Sequence, residues 1–221
     1  MKALSPSPNL ADQVQQALID EVVSGRLKPG ERIIQEQLAA ALGVSRQPVQ
    51  QALLVLRNQG VLQEAPGRGL LVAPLSTEQV RQVYEIRTAL EALACRRAAE
   101  RITPELAEQG WALIQAGRAA TARGEVGELI AADLRFHEFI YQVSGNPLIL
   151  STMGSHWHTI QRVMGEVLLR DQQPRDSWDE HEALWQAITQ QQAALAEQRM
   201  AQHLTLACEH LVRRLAAFGA T

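Results

Sequence analysis

The sequence predicts a mainly α-helical protein in two parts: short helices with a β-hairpin, then an all-α bundle of six helices. Aromatic residues make up only 4% of the 221 residues, while alanine, leucine and glutamine are frequent. Apolar residues recur every three or four positions over most of the chain, which is the period of an amphipathic helix. These periodic segments begin at capping residues and end at glycines, as helices do.

Three short helices are expected in the first part. The first covers residues 9–24, with Asn9 as its cap, and the second covers 35–42. Ser45 can cap the third, at 46–58, only two residues after the glycine that stops the second. Two helices joined by such a tight turn have the outline of a helix-turn-helix.

A β-hairpin is expected directly after the third helix. Residues 61–64 and 70–72 are the apolar-rich strands, and 65–69 form a glycine-rich tip that carries Arg68. Residues 74–77 are then the hinge to the second part. The first part therefore spans residues 9–75, after a flexible arm at residues 1–8.

The second part, residues 76–221, contains helical patterns only. A capping box of Ser76 and Gln79 opens the first helix, and Thr103 caps the next. Ser177 and Glu180 form the predicted cap of the fifth helix. Helices are expected over about 76–101, from 103, and over about 127–144, 148–169, 177–190 and 193–218.

Composition excludes several classes of protein. Apolar residues make up 46% and charged residues 20%, which supports a packed core and excludes general disorder. No apolar run approaches the roughly 18 residues that a membrane helix needs. Two cysteines, Cys95 and Cys208, are too few for a disulfide scaffold and fit the reducing cytoplasm. The net charge of −3 is concentrated in the second part, since the first 75 residues hold 7 basic and 6 acidic side chains.

The start of the predicted third helix has the residues that a DNA-recognition helix needs, because its first turns enter the major groove. Ser45 can bind a phosphate while it caps the helix, and Arg46 can pair with phosphate or guanine. Gln47 and Gln50 can reach base edges. Arg68, beside Gly69 at the hairpin tip, can enter the adjacent minor groove.

The order of these segments resembles the winged helix of GntR-family transcription regulators. The similarity covers residues 10–75 almost continuously and rests on the segments 25–31, 38–49, 52–53, 60–62 and 67–69. Two positions depart from the family pattern. Gln50 replaces an arginine that contacts DNA in relatives, so either the operator differs from the usual half-site or the affinity is lower. Glu36 stands where some relatives carry another DNA-contacting arginine.

Four polar side chains fall on apolar faces of the predicted bundle. Asp133 and His137 are four residues apart and leave one helix face together, and His181 and His203 lie on the apolar stripes of two other helices. A buried carboxylate is costly unless it is paired or binds a cation. Three imidazoles and one carboxylate form a suitable shell for zinc, or for nickel or manganese.

The second part resembles the C-terminal ligand-binding domain of the FadR subfamily, often called FCD. The matching segments are 83–87, 133–137, 144–147, 180–181 and 200–204. The resemblance implies that Asp133, His137, His181 and His203 are the metal ligands. It also implies that Arg87 lines the effector cavity, where a guanidinium can hold a carboxylate. The alternative for Arg87 is an ordinary surface ion pair with Glu91, four residues later.

The resulting hypothesis is a metal-dependent, small-organic-acid-responsive DNA-binding regulator. It is expected to bind a palindromic double-stranded operator as a homodimer, because one recognition helix buries too little surface for specific binding. Whether it represses or activates is left open by the sequence. A metalloenzyme acting on small carboxylates through the three histidines and Asp133 is the alternative, and a structural adaptor with a core zinc is a third possibility.

Overall fold

The structure is a computed structural model that describes residues 10–171 and 177–219. Contacts within the chain separate two compact units, which divide between Pro74 and Leu75. The expectations of a flexible arm at residues 1–8 and of a cap at Asn9 lie outside the described residues. Among the described helices, none has both the length and the apolar character that crossing a bilayer demands.

The first unit contains a helix-turn-helix followed by a hairpin. Its elements are α1 (Leu10–Val23), β1 (Arg32–Ile33), α2 (Gln35–Leu42), α3 (Arg46–Asn58), β2 (Leu62–Glu64) and β3 (Leu70–Val72). Helix α2 ends because Gly43 adopts a left-handed φ of 64°, which lets backbone N–H groups reach the last carbonyls of the helix. Buried Ala39, Val49 and Leu53 contribute to the apolar contacts of this unit.

The sheet of this unit contains a strand that the sequence pattern did not indicate. Strand β1 pairs with β3 in antiparallel register, so the order among the described strands is β1-β3-β2 rather than a simple hairpin. Two residues are too few to show the alternation by which strands are recognised. The pairing is extended by backbone hydrogen bonds that join Val72 to Gly30 and Glu31.

The described elements of the second unit are all helices. Its elements are α4 (Thr77–Arg101), α5 (Pro104–Arg123), α6 (Val126–Val143), α7 (Pro147–Arg170), α8 (Trp178–Thr189) and α9 (Ala193–Ala217). The Ser76 and Thr103 side chains accept hydrogen bonds from the backbone of Gln79 and Leu106, as predicted. Ser177 occupies the N-cap position of α8, as predicted, but the capping box was wrong: Ser177 makes no side-chain cap bond within the described residues, and the Glu180 carboxylate contacts His203 instead.

Two glycines allow α5 to pack closely against α8. A Cβ atom at Gly110 would collide with the indole of Trp185, and one at Gly117 would collide with the indole of Trp178. Trp178 in turn lies against His181, with ring centroids 4.8 Å apart. The close contact of α5 and α8 therefore helps to fix the helix that carries His181.

Candidate metal centre and DNA-binding surface

The side chains proposed from the sequence to face DNA are exposed in the first unit. They lie in the first turns of α3 and at the hairpin tip: Ser45, Arg46, Gln47, Gln50, Arg68 and Gly69. Arg46, Gln50, Arg68 and Gly69 line one groove of about 440 Å³, to which Arg32 also contributes. Ser45 and Gln47 belong to the exposed first turn of α3 rather than to the lining of that groove.

Ser45 and Arg46 differ in detail from the expectation. Ser45 occupies the N-cap position of α3, but its hydroxyl makes no cap hydrogen bond within the described part of the chain. Its backbone geometry alone begins the helix. Arg46 pairs with Glu36 of α2 through an Nη2–Oε1 distance of 2.9 Å, and both side chains are exposed.

Arg32 was missed in the sequence although it organises the hairpin tip. Its Nη1 and Nη2 groups donate hydrogen bonds to the carbonyls of Arg68 and Pro66, at 3.2 and 2.7 Å. These carbonyls are 36 and 34 residues away along the chain. The position of Arg32 beside the hairpin tip follows from the pairing of β1 with β3, which the sequence pattern does not predict.

Three imidazoles from three helices meet inside the second unit. His137 of α6, His181 of α8 and His203 of α9 are all buried, and one nitrogen of each lies within 4.8 Å of the others. The Nε2 atoms of His181 and His203 are 3.2 Å apart. At this distance the two nitrogens can share a proton, or both can donate lone pairs to one cation.

Asp133 lies at the edge of this histidine cluster. Its carboxylate oxygens are 3.6 Å from Nε2 of His181 and 3.9 Å from Nε2 of His137, and 13% of its side chain is exposed. The structure therefore brings all four residues proposed as ligands together. Asp133 is the least enclosed of them.

Two carboxylates outside the cluster fix the orientation of the imidazoles. Nδ1 of His137 is 2.6 Å from Oε2 of Glu91, and Nδ1 of His203 is 2.9 Å from Oε2 of Glu180. An ionised carboxylate can only accept hydrogen bonds, so each Nδ1 donates one, and the opposite Nε2 has a free lone pair in the neutral form of the imidazole. Carboxylates that hold metal-binding histidines in this way are a common feature of metal sites.

The donor set fits a divalent metal ion. Nε2 of His137 is buried and has no hydrogen-bond partner among the described residues, although buried polar atoms are usually paired. The 3.2 Å separation of the other two Nε2 atoms is close to the roughly 3.3 Å edge of a tetrahedral zinc–nitrogen shell. Burial lowers the pKa of His203, which favours its neutral form. A neutral imidazole is the form that binds a metal.

Arg87 is buried rather than at the surface. Its Nε donates to Oε1 of Glu91 at 2.6 Å, and the two side chains are 2% and 0% exposed. Its guanidinium carbon lies 4.7 Å from the ring centroid of Tyr84 and 4.8 Å from that of Trp157. The ion pair that was the alternative to a ligand-binding role is present, but the expectation that it lies on the surface was wrong.

The Arg87–Glu91 pair stays ionised despite its burial. Burial opposes the charge on Glu91, but the charge of Arg87 and the hydrogen bonds from His137 and Arg87 bring its pKa from 4.5 down to about 2. The pKa of Arg87 remains above its ordinary value because Glu91 offsets the effect of burial. Both groups are thus charged at any physiological pH.

A cavity connects Arg87 with the histidine cluster. It measures about 70 Å³, and its polar lining includes Tyr84, Arg87, Asp133, His203 and His210. Apolar residues of α7 and α9 complete the wall. Burial raises the pKa of Tyr84 to about 12, so its hydroxyl stays protonated and can donate a hydrogen bond. The cavity thus brings a cation, a hydroxyl, the Asp133 carboxylate and the His203 imidazole together in one small space.

Two family models match the chain, one for each unit. The model of bacterial regulatory proteins of the gntR family matches residues 10–72, and the FCD domain model matches residues 82–206. The second match alone covers more than half of the chain.

Individual relatives agree with this assignment. McbR of Escherichia coli K12, an HTH-type transcriptional regulator, is 31% identical over 149 residues, which are 67% of each chain. RspR of the same organism, an HTH-type transcriptional repressor, is 28% identical over 201 residues, or 91% of this chain and 88% of RspR. The solved structure of E. coli McbR/YncC has a TM-score of 0.81 at 25% identity and covers 96% of this chain and 99% of that one.

The matched proteins are transcription regulators rather than enzymes, so the metalloenzyme alternative is not supported. The family matches also agree with the elements of the structure, in which a helix-turn-helix with a hairpin precedes a helical unit. This chain belongs to the GntR family of bacterial regulatory proteins and is a DNA-binding transcription regulator with an FCD domain.

Proposed function

We propose that this regulator is metal-dependent and responds to a small organic acid bound in its FCD domain. The observation that carries the proposal is the convergence of three buried imidazoles, two of them oriented by outer carboxylates, beside a cavity that His203, Asp133 and Arg87 line together. A cation site and a fixed guanidinium in one cavity are complementary to a carboxylate.

His137, His181, His203 and Asp133 would hold the metal. Zinc suits this set of nitrogen and oxygen ligands, and nickel and manganese are the alternatives. A bound divalent ion supplies a Lewis-acidic position for one oxygen of the acid. Four protein ligands leave room for such an oxygen in a five- or six-coordinate shell.

Arg87 and Tyr84 would select the acid. Arg87 is held by Glu91 and by the two flanking rings, so it pays little conformational entropy when it binds a carboxylate. A cavity of about 70 Å³ favours acids with few heavy atoms. The wall from α7 and α9 is mainly apolar, which favours ligands without further charged groups on that side.

The DNA-binding roles belong to α3 and the hairpin. Arg46, Gln47 and Gln50 would contact the major groove, Ser45 a phosphate, and Arg68 with Gly69 the minor groove. The protein would act as a homodimer on a palindromic operator, with one half-site for each subunit. An acid changes operator affinity only if it binds the DNA-competent and DNA-incompetent arrangements unequally.

The test combines an operator selection with measurements of metal and acid response. The full-length protein, loaded with zinc, is used to select duplexes from a random pool. Operator affinity is then measured with acetate, lactate, succinate or citrate present. A specific operator whose affinity changes saturably with at least one of these acids is expected.

Two variants separate the parts of the proposal. Arg46→Ala is expected to lose specific DNA retention while it keeps the metal. His181→Ala is expected to lose both the metal and the response to the acid. Full metal content in His181→Ala, or an operator response that survives complete removal of the metal, would contradict the proposal.

A further inference from the structure

Glu91 of α4 occupies the junction between the two ligand-binding groups of the FCD domain. Its Oε1 accepts a hydrogen bond from Nε of Arg87, and its Oε2 accepts one from Nδ1 of His137, each at 2.6 Å. The side chain is completely buried. Each oxygen of one carboxylate is therefore committed to a different partner.

We propose that Glu91 is a positioning residue that couples metal binding at His137 to carboxylate binding at Arg87. This inference rests on the proposed function, because it requires His137 and Arg87 in their ligand-binding roles. It goes further by assigning the coupling between the two sites to one side chain. That side chain is expected to contact neither the metal nor the acid.

Glu91 can couple the two sites because Arg87 and His137 both hydrogen-bond its single negative charge. A carboxylate that accepts from Nδ1–H of an imidazole makes the opposite nitrogen a better metal donor. The positive charge of Arg87 polarises the Glu91 carboxylate away from His137 and so makes Nε2 of His137 a weaker metal donor. An acid that neutralises Arg87 returns charge to Glu91 and strengthens metal binding at His137. By linkage, the metal strengthens binding of the acid by the same factor.

Glu180 provides a matched comparison within the same cluster. It accepts a hydrogen bond from Nδ1 of His203 at 2.9 Å, so it supports a histidine as Glu91 does. Arg87, however, forms its ion pair with Glu91 and not with Glu180. Loss of either carboxylate is expected to weaken the metal site, but only loss of Glu91 is expected to uncouple Arg87 from it.

The experiment is a double-mutant cycle that uses zinc alone as the probe. The zinc dissociation constant is measured by chelator competition for the full-length protein and for Arg87→Gln, Glu91→Gln and Glu180→Gln. The double variants R87Q/E91Q and R87Q/E180Q complete two cycles. Direct repulsion between zinc and Arg87 is the same whether or not Glu91 or Glu180 has been replaced. Any change in the effect of Arg87→Gln on zinc affinity when Glu91 is replaced therefore measures the coupling through Glu91.

Glu91→Gln and Glu180→Gln are each expected to weaken zinc binding by about 10- to 100-fold. Arg87→Gln is expected to tighten it in the unaltered and Glu180→Gln backgrounds. The factor by which Arg87→Gln tightens zinc binding should be smaller by about twofold or more in the Glu91→Gln background. An equal factor in all three backgrounds would overturn the coupling role while leaving the metal site in place. Failure of the unaltered protein to bind one zinc would instead overturn the proposed function itself.

Glu91→Gln leaves buried Arg87 unpaired, so a second measurement avoids that substitution. Long-range 1H–15N NMR of the metal-free protein reports the protonated nitrogen of each imidazole. Arg87→Lys is expected to shift the Nδ1–H resonance of His137 and to leave that of His203 unchanged. Equal shifts at both histidines, or no shift at His137, would overturn the proposal.

Discussion

Arg46 and Glu36 join the first turns of α3 and α2 through an exposed ion pair of 2.9 Å. Arg46 is the cation proposed to contact DNA, and Glu36 lines the same groove between α3 and the hairpin. In the free protein the Glu36 carboxylate is therefore paired with the guanidinium that is proposed to bind DNA. We therefore expect Glu36 to compete with phosphate or guanine for Arg46.

Glu36→Gln is expected to raise operator affinity, by up to about fivefold, because exposed ion pairs are worth about 0–1 kcal/mol. The gain should shrink as salt is added, since the removed carboxylate repels phosphates. Binding isotherms at several salt concentrations measure it. Glu21→Gln is the control, because Glu21 of α1 forms a similar exposed pair with Arg26, which follows the helix. Equal gains in both variants would show that net charge, and not the Arg46 pair, is responsible.

Arg32→Lys is expected to weaken operator binding although it preserves the charge. An ammonium group cannot reproduce the fork that bonds the carbonyls of Pro66 and Arg68, so the hairpin tip loses its fixed conformation. Loss of these bonds is expected to cost about 1 kcal/mol, or about fivefold in affinity.

Amide hydrogen exchange of the free Arg32→Lys protein provides the independent measurement, with faster exchange expected at residues 67–70. Arg26→Lys serves as the control, because among the described residues the hydrogen bonds of the Arg26 side chain go to the carboxylate of Glu21, five residues earlier, and not to the hairpin tip. Unchanged exchange together with weaker DNA binding would instead mean that Arg32 contacts DNA directly.

Gly117→Ala is expected to lower the free energy of unfolding by about 1–3 kcal/mol, the usual cost of overpacking a core. The added methyl group would meet the indole of Trp178, which itself packs against the ring of His181. Gly154→Ala in α7 is the matched control, because nothing lies within 4 Å of a Cβ there. It should be neutral or stabilise the protein by up to about 1 kcal/mol.

Chemical denaturation monitored by circular dichroism gives both values. A Gly117→Ala protein as stable as the Gly154→Ala protein would show that α5 and α8 can separate without cost. The contact could not then fix the position of His181.

The sequence predicted those elements whose ends are set by local interactions. Gly43 ends α2 because its backbone adopts a conformation that favours glycine, and Thr103 caps α5 through its own hydroxyl. The sequence also predicted the residue pairs that lie one helical turn apart, because helical spacing places Asp133 and His137, or Arg87 and Glu91, on one face. The grouping of the four proposed ligands on inward stripes followed from the same periodicity.

Interactions between distant segments were not predicted. The partner of His137 is Glu91, 46 residues earlier, and that of His203 is Glu180, 23 residues earlier. Helical periodicity relates residues within one helix, so it cannot predict either of these contacts between helices. For the same reason Glu180 was taken for part of a helix cap, and the burial of the Arg87–Glu91 pair was missed. The two-residue strand β1 was too short for any pattern.

The central claim is that the buried histidine cluster holds one divalent ion. Anomalous diffraction at the zinc absorption edge, from crystals of the zinc-loaded full-length protein, tests it most directly. We expect one strong peak per chain, about 2.1 Å from Nε2 of His137, His181 and His203. A zinc-loaded crystal without a peak among these three nitrogens would contradict the account.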